Sequence, residues 1–86
     1  MIAPPPGGFR PPVKRSVTIA GHETSVSLEP VFWGALEAQA QARGLPLSAL
    51  VAEIDALRVR ESAPPNLASA IRTWLLETHQ SENYSH

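Results

Sequence analysis

The 86-residue chain has no cysteine. That excludes a disulfide scaffold and a thiolate zinc site, and it fits a reducing, cytoplasmic setting. No stretch approaches the roughly 18 apolar residues of a membrane span. The N-terminus has no apolar core behind its charges, so it does not read as a signal peptide. His22, His79 and His86 have no ligand spacing, so no metal is expected, and no other cofactor. Ser62, Ser69, Ser81 and Ser85 lack a nucleophile-elbow context, and no phosphate-binding glycine loop is present. The chain therefore does not read as an enzyme. Aromatic residues make up only 6%, and Trp33 and Trp74 lie on apolar stripes, where packing is their expected use.

Charge is sparse, at 17% of residues, and unevenly placed. Residues 1–15 hold Arg10, Lys14 and Arg15 and no acid. The rest holds four bases and eight acids, a net of −4, so the whole chain carries −1. A strongly basic nucleic-acid binder does not look like this globally. A small basic arm on an acidic body remains available for a partner of negative charge.

Residues 1–12 hold Pro4, Pro5, Pro6, Pro11 and Pro12 with Gly7 and Gly8. Proline removes donors and glycine removes rigidity, so this segment reads as a disordered arm. The domain follows at 13–80, with a polar tail at 81–86. Val17 and Ile19 alternate with Ser16 and Thr18, and Val26 and Leu28 alternate with Ser25 and Ser27. This period-2 pattern predicts two half-buried strands, about 14–20 and 23–29. A Gly21-His22 turn would pair Ile19 with Thr24 and Val17 with Val26.

Three helices follow. The first spans about 30–43, with Pro30 in its first turn and Gly44 just past its end. Phe32, Trp33 and Leu36 mark its apolar stripe. The second, about 47–58, carries Leu47, Leu50, Val51 and Ile54 at spacings of three and four. The third, about 66–80, starts at a candidate Asn66 cap and presents Leu67, Ile71, Trp74 and Leu75. The fold class is α+β, mostly α. Large apolar groups are numerous for so short a chain, which predicts a dimer.

The stretch Ser25-Val-Ser-Leu-Glu-Pro-Val-Phe-Trp-Gly-Ala-Leu36, with Ala42-Arg-Gly-Leu-Pro-Leu-Ser-Ala-Leu-Val51, resembles the ribbon-helix-helix superfamily of MetJ/Arc type. The flanks resemble a bacterial subfamily with an added N-terminal strand, forming a hairpin, and an added C-terminal helix. The resemblance implies an intertwined homodimer in which strand Thr24–Leu28 pairs with its copy. Val17, Ile19, Val26, Leu28, Phe32, Trp33, Leu36, Leu50, Val51 and Ile54 would form the core and dimer interface. It also implies a small DNA-binding transcriptional regulator. Glu23, Ser25 and Ser27 would face the major groove. The start of the second helix, at Leu47 and Ser48, would offer amides to a phosphate. Arg10, Lys14 and Arg15 are the candidate phosphate contacts. The alternative is a protein-interaction module that does not bind DNA and docks a partner through its third helix, its basic arm or its polar sheet face.

Overall fold

A computed structural model describes residues 1–84. Two strands, β1 (Val13–Ile19) and β2 (His22–Leu28), form an antiparallel hairpin. Helices α1 (Pro30–Ala42), α2 (Leu47–Arg58) and α3 (Leu67–Tyr84) follow. The helices make up half of the chain, as the α+β reading expects.

The hairpin turns one residue earlier than the sequence reading placed it. Ala20 and Gly21 occupy the loop, so Ile19 pairs with His22, Val17 with Thr24 and Arg15 with Val26. Both loop residues have positive φ, 51° at Ala20 and 82° at Gly21. That is the turn whose twist matches the flanking strands, and glycine suits its second place. The register differs from the expected one by two residues. A two-residue slip preserves the faces, because side chains alternate with period two. Val17, Val26 and Leu28 therefore still point to one side and are buried there.

Each helix ends for a visible reason. Phe32 and Trp33 amides donate to Glu29 O to open α1. At its C-terminus Gly44 adopts φ 67°, while Gly44 N bonds Gln41 O and Leu45 N bonds Ala40 O. These two bonds form the Schellman closure that glycine permits. Pro46 precedes α2 and offers no side-chain cap. Asn66 does cap α3, its Oδ1 accepting the Ser69 amide at 2.8 Å. α3 runs to Tyr84 rather than stopping near residue 80, because no glycine or proline interrupts it. Gln39 Nε2 donates to Glu82 Oε1 at 3.4 Å, tying this last turn to α1. The expected polar tail at 81–86 is thus helical over 81–84. Ser85 and His86 lie outside the described residues.

The apolar sheet face closes over the helices. Val17, Val26 and Leu28 join Trp33, Leu36, Ala40, Leu50, Val51, Ile54, Ile71 and Leu75 in one core. Ile19, Phe32, Leu47, Leu67 and Trp74 are half-buried against it. A single chain thus buries most of the large apolar groups that predicted a dimer and leaves the rest half-covered, because α3 completes the core. Burial demand alone does not require a second copy. Val31, Leu57, Val59 and Leu76 remain exposed.

Candidate nucleic-acid interface

The register assigns the two sheet faces residue by residue. Cross-strand partners share a face, so Lys14 and Ser27, Ser16 and Ser25, and Thr18 and Glu23 lie together on the polar side. All are exposed except Ser27, which is half-buried. Three hydroxyls flank the pair Lys14–Ser27, and Glu23 offsets Lys14 in charge. The expected readers Glu23, Ser25 and Ser27 are therefore gathered on one open surface. Ser16, Thr18 and Lys14 from the added strand stand beside them. Serine bonds either purine or pyrimidine edges, so this face discriminates bases weakly.

Arg15 stands on the other side. It has the parity of Val17 and Ile19, and its partner Val26 is buried. Its guanidinium stacks 4.5 Å from the centroid of the Trp33 ring. Arg15 Nη1 also donates to Glu37 Oε1 at 2.8 Å. Trp33 Nε1 in turn donates to Val13 O at 2.8 Å. These contacts fasten the beginning of β1 to α1. Arg10 lies in the arm, where its Nε donates to Gly7 O at 3.3 Å. The arm has no strand or helix, but Gly8 N bonds Pro5 O in a turn.

Leu47 and Ser48 begin α2 and are both half-buried. The first intrahelical bonds run from Ala49 and Leu50 to Pro46 O. The amides of Leu47 and Ser48 precede them, as in any uncapped helix start. Pro46 itself has no amide to offer.

A second set of contacts joins α3 to the strand–helix corner. Arg72 Nε donates to Glu29 Oε1 at 3.0 Å, and its guanidinium lies 5.8 Å from the Phe32 ring centroid. The Glu29 backbone amide, and then Arg72, hold the Glu29 carboxyl below its ordinary value. Arg43 lies 5.3 Å from the Trp74 ring centroid. Arg58 pairs with Asp55 at 2.8 Å and donates through Nη1 to Pro65 O. Four of the chain's arginines thus serve the fold. Apart from Arg58 and Asp55, which lie three apart on α2, no motif announces these pairs, since their partners lie far apart in sequence. Only the position of Arg15 was readable, from its parity with Val17.

The hairpin, the Glu29-Pro30 corner and the helix pair around Gly44 agree with one family. The model of the ribbon-helix-helix domain matches residues 12–79. The chain belongs to the ribbon-helix-helix family. The match begins before β1 and extends well into α3, so the added strand and the added helix are both part of the matched domain. No curated protein and no solved structure matches the chain. Ribbon-helix-helix domains generally dimerise, are typically DNA-binding transcription regulators, and are not generally enzymes. Among the described residues no helix is long and apolar enough to cross a membrane, and no group of three metal-ligating side chains comes together.

Proposed function

We propose that the protein is a homodimeric DNA-binding transcriptional regulator of bacterial type, working in the cytoplasm. The observation that carries this reading is the open polar face of the hairpin, in a ribbon-helix-helix chain whose β2 has, among the described residues, an unpaired outer edge. Ile19 and His22 close a two-residue loop and form a hydrogen-bonded pair. Bonded and non-bonded pairs alternate along an antiparallel ladder. The backbone groups of Glu23, Ser25 and Ser27 therefore point away from β1. These three positions are symmetric about Ser25, so a two-fold axis there pairs β2 with its copy.

Lys14, Ser25 and Ser27 would meet DNA on the polar face, with Glu23 at its margin. Arg10 would contact phosphate from the arm, and Leu47 and Ser48 from the start of α2. Arg15 contributes by holding β1 in place. The test is binding to genomic DNA fragments over a salt series. Each phosphate contact contributes about −0.9 to the slope of log affinity against log salt on duplex DNA. Lys14→Ala with Arg10→Ala should flatten the slope, and Ser25→Ala with Ser27→Ala should change sequence preference alone. Absence of binding at low salt sinks the reading.

One observation favours a second reading, a dimeric adaptor for another protein. With β1 fastened by Trp33 and Arg15, the dimer sheet has four strands. It spans about 14 Å between outer strands at about 4.8 Å spacing. A major groove about 12 Å wide takes a two-stranded ribbon. An adaptor would co-purify with a protein partner and show no salt-dependent binding to duplex DNA.

A further inference from the structure

Two features of the surface are unused by the polar sheet face. The first is the arm. Phe9 is 90% exposed. The arm, with Glu29, Pro30 and Val31, borders a cavity of about 620 Å³. It therefore leaves β1 at Val13 and passes across the end of β2 to the start of α1. The second feature is a cleft of about 490 Å³ at the opposite end of the hairpin. Ile19 and Leu67 give it apolar walls, and His22, Thr24, Asp55 and Arg58 give it polar ones.

Within one chain these features lie at opposite ends of β1, about 20 Å apart at roughly 3.3 Å per residue. An antiparallel pair of β2 strands brings them to the same end. With the axis at Ser25, Leu28 stands opposite His22 of the second copy. The second copy's hairpin tip then sits beside Glu29–Val31, where the arm already lies. Four residue steps separate Phe9 from Val13, a backbone reach of about 13 Å, while the three strand spacings to Ile19 of the second copy amount to about 14 Å, a difference that the length of the Phe9 side chain covers. Charge agrees with the placement. Residues 1–15 carry no acid, and the exposed Glu23 stands at the hairpin tip, while Asp55 in the cleft is already paired with Arg58 at 2.8 Å.

We propose that the arms are exchanged in the dimer, with Phe9 of each chain seated between Ile19 and Leu67 of the second copy. Arg10 then approaches that copy's Glu23. The proposal rests on the two-fold pairing of β2 and is independent of DNA binding.

The absence of cysteine makes the test clean. A tagged chain carrying Phe9→Cys is equilibrated with an untagged chain carrying His22→Cys, and the mixture is oxidised gently. A tagged–untagged disulfide product, several-fold above a control pairing Phe9→Cys with Glu53→Cys on the exposed side of α2, is the expected result. Phe9→Ala should also raise the dimer dissociation constant several-fold in sedimentation. A dimer that cross-links no better than the control overturns arm exchange and leaves the strand pairing standing. A monomer in sedimentation overturns the pairing itself. A chain carrying both Phe9→Cys and His22→Cys that closes internally at high dilution, with no mixed product, places the arm on its own body and overturns the exchange.

Discussion

Replacing Trp33 with Phe tests whether β1 is a fixed strand. Trp33 is 4% exposed, donates from Nε1 to Val13 O at 2.8 Å, and carries Arg15 on its ring at 4.5 Å. Phenylalanine keeps a buried ring and removes the donor. The lost hydrogen bond costs about 1 kcal/mol at most, because Val13 is exposed and water reaches its carbonyl. A weaker stacking face costs about 0.5 kcal/mol. The void left by the missing part of the indole costs about 1 kcal/mol. The sum is about 2.5 kcal/mol, or roughly 15 °C in Tm for a domain of this size. The loss should be uneven, and amides of Val13–Ile19 should exchange faster relative to those of α2. Thermal denaturation by circular dichroism and amide exchange by NMR read the two effects. Glu37→Ala is the comparison. The Arg15–Glu37 side chains are 42% and 56% exposed, so removing that pair should cost less than about 0.5 kcal/mol. A Trp33→Phe protein melting within a degree of wild type, with β1 amides equally protected, would refute the fastening.

The remaining expectations concern register, caps and titration. Val26→Asp should unfold the protein in a circular-dichroism melt, since Val26 is 3% exposed among apolar groups. Ser27→Asp, on the opposite face, should leave it folded, and the reverse pattern would disprove the face assignment. Asn66→Ala should cost about 1 kcal/mol in urea denaturation by removing the α3 cap. Ala20→Asn should stabilise by about 0.5 kcal/mol, because asparagine tolerates the positive φ that alanine adopts under strain. Glu29 has a lowered folded pKa, so its contribution is full above the unfolded value and is lost as pH falls through the folded one. Stability measured from neutral to acid pH should therefore decline less steeply in Glu29→Gln than in wild type.

Alternation and helical spacing made most of the fold readable. The parity of Val17, Ile19, Val26 and Leu28 fixed the buried sheet face, and Gly44 and Asn66 marked helix ends through their own backbone chemistry. Strand register was less readable, because faces survive a slip of two residues and only turn geometry separates the choices. The extent of α3 was missed because polar residues 81–84 carry no stop signal, while α1 supplies a contact at Glu82. Arg15 was read as a phosphate contact from charge alone. Its parity already placed it among the apolar residues, and Trp33 and Glu37 account for it there. The Glu29–Arg72 pair left no trace in sequence, since α3 must fold back across the strand–helix corner before the two groups meet.

These placements sharpen the choice between partners. Of the three cations in the N-terminal segment, Arg15 is committed to α1, so each chain offers Lys14 on the sheet face and Arg10 in the arm. A dimer then brings four such cations. If all four met phosphate, the salt slope would approach about −3.6 at about −0.9 per contact. Arg10 and Phe9 are neighbours, which couples this electrostatic count to the arm. If Phe9 anchors the arm on the second copy, Arg10 is drawn toward Glu23, and the slope falls toward the two Lys14 contacts. Phe9→Ala would release the arm and return Arg10 to phosphate. A weaker dimer with a steeper salt slope is therefore the combined signature of arm exchange in a DNA-binding protein. An adaptor would show only the weaker dimer.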